Sequence, residues 1–265
     1  MRGFVNENAS CMLDTLLVCI FFAHAHYVKI TTAHRYKFSQ QLRRTLRRLH
    51  HSVNQRANVA ITSTDVQALL PPLPIDAIGC LHAVLAKCGV DSLGTQTKVV
   101  TYHMKDSSIE QRSSVDEPFL THVMVPGKTG SPSILDAFST NETMPPKSSV
   151  ARITTTLHLA DAPILIFEVV RPVHYSAIHF GHINRWKRVL LQIRDELYTL
   201  NAVVCRYDTH YICYVWDRGG GRWMYYNPCS GGVIQECPHP ETVKIRASED
   251  GELFFYSRVR DGEYV

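Results

Sequence analysis

A chain of 265 residues, 45% hydrophobic and 20% charged, has material for a sizeable core and the ordinary balance of a soluble globular protein. A net charge of +4 is too mild to argue for nucleic acid, and no apolar run approaches the ~20 residues that span a bilayer. The eight cysteines, at 11, 19, 80, 88, 205, 213, 229 and 237, form no Cys-x-x-Cys pair, which removes the zinc-ribbon signature. In a chain this large without a convincing export signal, they read as reduced thiols in an intracellular setting.

The first elements set the problem. A polar stretch, Gly3 to Ser10, runs into Cys11, and Leu13, Leu16, Leu17, Ile20 and Phe21 then recur at helical spacing. The spacing predicts a buried helix with Cys11 at its first turn, where unpaired N–H groups and the helix dipole favour a thiolate. Two other readings compete. Free cysteine is often a buried structural residue. Arg2, the apolar stretch Thr15 to Ala23 and the small residues near Ala25 also suggest a signal peptide, which Glu7 and Asp14 oppose.

Phe38 to Val53 reads as a helix, with Leu42, Leu46, Leu49 and Val53 on one face among Arg43, Arg44, Arg47 and Arg48. That basic face is the one hint of an acidic or nucleic-acid partner, and a solvated helix face explains it better. Thr62 to Asp65 caps a short helix ending at Pro71, and a further helix runs from Pro74 to Gly89. Thr97 to His103 and Phe119 to Val125 read as strands either side of a polar loop, Lys105 to Glu117. Pro126 to Ser131 imitates a phosphate loop, but His122 stands where its first glycine belongs, so a turn is expected. Ser133 caps a short helix, Ile134 to Phe138, and Asn141 to Ser149 reads as a loop whose glycosylation sequon matters only in a secreted protein. Strands are then expected at Ala151–Leu159, Ile164–Val170, Val189–Ile193, Leu200–Tyr207, Tyr211–Trp216, Arg222–Tyr226, Thr242–Ile245 and Leu253–Val259. The whole is an α+β arrangement: one domain over 1–265, mainly helical in 1–95 and mainly β in 96–265.

His210 opens a predicted strand, Gly219 to Gly221 make a turn, and the returning strand ends at Asn227. By counting, the hairpin brings Asn227 level with His210. An imidazole whose far nitrogen is held by an amide or carboxylate is the base a thiol nucleophile needs.

These residues resemble a family. Gly3, Asn6, Ala9, Ser10 and Cys11 look like the cysteine box of the ubiquitin-specific proteases, the papain-like deubiquitinases. Tyr198, Leu200, Ala202, Val203 and Val204, then His210, Tyr211 and Tyr214, then Trp223 and Asn227, resemble their histidine box, and Ile75–Lys87 and Ile134–Glu142 sit loosely where the family has further helices. The resemblance implies a papain-like cysteine protease fold: a helical thumb on an antiparallel palm, with the zinc-bearing fingers reduced or absent for want of Cys-x-x-Cys pairs. It implies Cys11 as nucleophile, His210 as base and then acid, Asn227 as the residue orienting His210, and Asn6 as an oxyanion donor beside the Cys11 N–H. The partner implied is ubiquitin or a ubiquitin-like modifier and its conjugates, in the cytosol or nucleus, of a host cell if the source is a pathogen. Neither a cofactor nor a metal nor a membrane is implied, and no oligomeric state is.

Departures accompany the match. Asn8 stands where the family has a glycine, and Asp208 and Thr209 replace glycines before the histidine. Asp208 lies two residues before His210, so both side chains fall on one strand face. That Asp-x-His pattern is similar to the deubiquitinases of herpesvirus tegument proteins and makes Asp208 an alternative third triad member. Another thiol protease or acyltransferase would keep the same triad, and a non-catalytic ubiquitin-binding module is a further alternative.

Overall fold

The computed structural model describes residues 10–23, 44, 63–70, 72, 76–87, 92–105, 110–124, 132–146, 148–170, 177–184 and 187–259. Asn6, Asn8, the turn at 126–131 and the expected helix 38–53, apart from the helical and exposed Arg44, lie outside them.

Helix α1 spans Cys11–Ala23. Leu13, Leu16, Leu17, Val18, Cys19 and Ile20 are all buried, as are the polar Asp14 and Thr15, so the helix is enclosed rather than laid on a surface. Its first intrahelical bond runs from Asp14 N–H to the Ser10 carbonyl (2.9 Å), and Ser10 Oγ donates to Asp14 Oδ2 (2.6 Å). Helix α2 is a single turn, Thr64–Gln67. Helix α3, Ala77–Lys87, starts after the expected Pro74 because Asp76 caps it, its Oδ1 accepting from Gly79 N–H at 2.6 Å.

Two sheets follow. The larger has nine strands, in the order β12-β11-β10-β9-β13-β6-β3, with β8 paired to β9 and β7 to β8. Its members are β3 (His122–Met124), β6 (Ile164–Val169), β7 (His182–Ile183), β8 (Val189–Ile193), β9 (Glu196–Tyr207), β10 (His210–Asp217), β11 (Arg222–Tyr226), β12 (Ile234–Glu236) and β13 (Gly251–Arg258). All its pairings are antiparallel except β3 with β6. Among the described residues, helices precede the strands, and one α-helix and one 3₁₀ helix interrupt them, an α+β architecture. No described helix is long and apolar enough to cross a membrane.

Four corrections have physical causes. The expected loop 105–117 is in large part strand β2 (Glu110–Phe119), paired residue for residue with β1 (Gly94–Met104). Residues 112–116 are exposed, so β2 has no apolar alternation to reveal it; it is held by the ladder and by cross-strand bonds such as Thr97 Oγ1 to Asp116 Oδ1 at 2.7 Å. The expected loop 141–149 begins with the end of strand β4 (Ser139–Thr143), and β2, β1, β5 (Val150–Asp161) and β4 make a second, four-stranded antiparallel sheet. The expected strand Phe119–Val125 divides: Phe119 ends β2 in one sheet, and His122 begins β3 in the other.

The fourth correction is Thr242–Ile245, which is not a strand but part of helix α4, Pro240–Asp250. Pro240 suits the first turn, and the two buried residues, Val243 and Ala247, are four apart, a helical period that a short β-branched run conceals. Between the sheets, Ile134–Phe138 is a 3₁₀ helix with a capping box from Ser133 and Asp136.

The nine-stranded sheet is covered on both faces. Alternate residues of β10 sort cleanly: Tyr211, Cys213 and Val215 pack with α1 and α3, whereas Ile212, Tyr214 and Trp216 pack with α4 and the 3₁₀ helix.

Candidate active site

The turn Asp208–Thr209 joins β9 to β10, with Asp208 in the left-handed region at φ +56°. His210 is therefore the first residue of β10 and half-buried at the end of the sheet. The return strand β11 pairs Cys213 with Tyr226 and Asp217 with Arg222. Continued, that register sets Asn227 opposite 212, two residues from the position expected by counting. The side chains nonetheless meet along the diagonal, with His210 Nε2 and Asn227 Oδ1 2.8 Å apart.

Asn227 Oδ1 also accepts from Cys229 N–H at 2.9 Å, an Asx turn that fixes which end of the amide faces the ring. An oxygen on Nε2 assigns the proton to Nε2 and leaves Nδ1 as the basic nitrogen. Facing Nδ1 is the Sγ of Cys229, 3.7 Å away on an exposed turn. Nothing in the sequence reading singled out Cys229; the signal was its place two residues beyond Asn227, within an Asx turn.

Asp208 is exposed, and its backbone carbonyl accepts from Arg206 Nε at 2.9 Å. The oxygen held against the His210 ring is that of Asn227.

Cys11 begins α1 and is half-buried. Two contacts fix how α1 lies along β10: Thr15 Oγ1 donates to the Tyr211 carbonyl at 3.3 Å, and the thiols of Cys19 and Cys213 are hydrogen-bonded. Four helical residues advance ~6 Å and two strand residues ~6.6 Å, so helix and strand run parallel. One turn earlier, Cys11 falls level with residues 209–210. Level is not contact: α1 covers the odd-numbered face of β10, His210 belongs to the even-numbered set, and no hydrogen bond joins Cys11 to His210. The structure brings His210 and Asn227 together and places the Cys229 thiol beside the ring, while the level of Cys11 follows from extending the contacts of Thr15 and Cys19 by one turn.

The thiols divide by environment. Burial pushes Cys80 up to about 12, helped by Asp76 and Asp14, and burial with the bond to Cys19 holds Cys213 well above the ordinary thiol range. Cys205 and Cys237 are buried too. Raised thiols such as Cys80 and Cys213 stay protonated and inert. Among the described residues, Cys11 and Cys229 are the accessible ones.

Carboxylates gather on the α1 face. Burial, then Asp76 and Glu252, raises Glu168; burial raises Glu252 against the pull of Arg206, 3.6 Å away, and of the Tyr211 hydroxyl. Burial also takes Tyr211 up to about 12. Among the described residues no three His, Cys, Asp or Glu side chains converge as a metal site requires.

No protein-family model and no curated protein matches the chain.

Proposed function

We propose that this protein is a thiol hydrolase of ubiquitin or ubiquitin-like conjugates, with Cys11 as nucleophile, His210 as base and acid, and Asn227 orienting the imidazole. The observation that carries the reading is the 2.8 Å His210–Asn227 pair at the start of β10, level with the first turn of a buried helix that opens on a cysteine. In the papain-like reading α1 is the thumb helix on the palm, and the four-stranded sheet takes the part of fingers.

Nδ1 of His210 removes the Cys11 proton, and the thiolate attacks the isopeptide carbonyl. The oxyanion is met by the Cys11 backbone N–H, one of the first-turn groups without an intrahelical partner, and by Asn6. Collapse expels the lysine amine, which takes the proton from His210, and leaves a thioester. Water, deprotonated by His210, then releases the ubiquitin carboxylate and restores the thiol. Nδ1 must exchange Cys229 for Cys11 before the first step, a rotation open to a half-buried side chain at a strand end. Apo geometry in such sites is commonly looser than in the substrate complex.

The 3.7 Å contact favours a second reading, in which Cys229 is the nucleophile. It fits less well, because the Cys229 N–H is spent on Asn227 Oδ1 and cannot meet an oxyanion. A third triad member other than Asn227, namely Asp208, is separable by experiment: Asn227→Ala should cost far more activity than Asp208→Asn. A ubiquitin probe with a C-terminal electrophile tests the whole proposal. It should label the wild type and Cys229→Ala but not Cys11→Ala; labelling that survives Cys11→Ala removes Cys11 from the mechanism.

A further inference from the structure

A cleft of about 600 Å³ opens beside His210 on the face of the sheet away from α1. The ends of β10 and β11 form its floor and α4 its far wall. Inside, Tyr214 and Tyr225 lie ring by ring, with centroids 5.4 Å apart, next to Ile212. At the rim, Tyr207 is 61% exposed beneath the Arg246 guanidinium, 5.9 Å from its centroid. The rim charges are answered by one another: Arg246 by Asp250 at 3.5 Å, and Glu236 by Arg222 at 2.6 Å. What the cleft offers a ligand is aromatic and aliphatic surface leading to the imidazole.

We propose that this cleft binds the lysine-bearing segment of the substrate, the side of the isopeptide bond that leaves. The inference rests on the hydrolase reading above and adds to it where the second half of the substrate lies. The acyl half must lie at Cys11, whose helix covers the opposite face of β10. The departing nitrogen takes its proton from His210 and so sits within hydrogen-bond reach of the ring. The four-carbon stem then runs from the imidazole over the tyrosine-walled cleft, whose lining includes the ring itself. Methylenes pack well on ring faces, and the ammonium released is attracted to the same faces. The cleft volume lies within the range that binds ligands, enough for more than one side chain. An anionic ligand would find Arg246, the one arginine or lysine among the described lining residues, already held by Asp250.

Two substrates that share an acyl half test the cleft: ubiquitin carrying a C-terminal aminocoumarin, and ubiquitin joined by an isopeptide bond to the lysine of a fluorescent peptide. Tyr207→Ala removes an exposed wall, and Gln235→Trp, on an exposed lining residue, fills the space. Each should raise the ratio of KM for the lysine-peptide conjugate to KM for the aminocoumarin substrate by roughly tenfold, the size of a lost hot-spot contact. An unchanged ratio in both variants overturns the inference. If the wild type cleaves neither substrate, the hydrolase reading has failed, and titrating the free lysine peptide into ¹⁵N-labelled protein decides the cleft separately. Shifts confined to the residues around Tyr207, Tyr225 and Gln235 support peptide binding there, and no shifts at saturating peptide overturn it.

Discussion

Both faces of the nine-stranded sheet bury thiols, Cys205 and Cys237 lying on the α4 side, but they differ in what accompanies them. The α1 face holds thiols and carboxylates: Cys19, Cys80 and Cys213 in the core, with Glu168 and Glu252 at its margin. The α4 face is aromatic, with Trp216 against Trp223 and Tyr214 against Tyr225, and at its other end His122 among Phe119, Phe138 and Phe167. Desolvation holds Cys80 and Cys213 on the first face and Cys237 on the second in the thiol form, and it holds a buried base on the second, His122, neutral. Reactive pairs can exist only where the faces meet water, at the strand ends. His210 stands at such an end, with the α1 N-terminus on one side and the tyrosine cleft on the other.

The largest expected effects lie at that junction. Cys11→Ala should abolish ubiquitin-conjugate cleavage, and His210→Ala should lower kcat by ~10²–10⁴, the range for losing a general base. Asn227→Ala should cost about 10²-fold in kcat, since the ring loses the bond that fixes its tautomer. If Cys229→Ala, rather than Cys11→Ala, is the inactive variant, the nucleophile belongs to the hairpin and the two-sided picture of the site is wrong. A pH–rate profile of Asn227→Ala against wild type adds a readout that simple destabilisation would not move.

The aromatic face makes a smaller, acid-sensitive contribution. His122 is 2% exposed, and burial lowers it to about 4 from 6.5. The folded state therefore favours the neutral ring. Below pH 6.5 the unfolded chain takes up a proton that the folded chain refuses, so stability falls until about pH 4, where the folded ring protonates as well. His122→Phe should remove on the order of 2 kcal/mol of the stability lost between pH 7 and pH 4.5, measured by urea denaturation at both values.

The α1 face has the opposite sign and the smallest effect. Glu168 has a raised carboxyl, so the folded state resists its ionisation, and the cost is complete above the folded value. That cost is relieved as pH falls through the folded value and is gone below the ordinary value of 4.5. Glu168→Gln should stabilise the protein at pH 7, with the gain fading toward pH 4. A gain that persists unchanged at pH 4 would trace to packing and not to charge.

What could be read in advance follows the same division between buried and wet. α1, β6, β10 and β11 are enclosed by the core, and their apolar runs announced them with bounds close to those observed. β2 is wet along its middle and carried no signal. Thr242 to Ile245 has strand-like residues in a helix whose core contact rests on Val243 and Ala247. At the site, His210 and Asn227 were legible because a hairpin converts sequence separation into distance, although the turn set the register two residues away from the simple count. Cys229 was not legible, because it reaches the ring through a turn whose geometry depends on the Asn227 side chain. Cys11 was legible as a helix start, but its relation to the ring depends on how α1 lies on the sheet.

Mapping the adduct of a ubiquitin electrophile by peptide mass spectrometry therefore tests the central claim most directly. The expected result is a single modified peptide carrying the adduct on Cys11, lost in Cys11→Ala and slowed in His210→Ala. An adduct on Cys229, or no adduct at any concentration of probe, contradicts it.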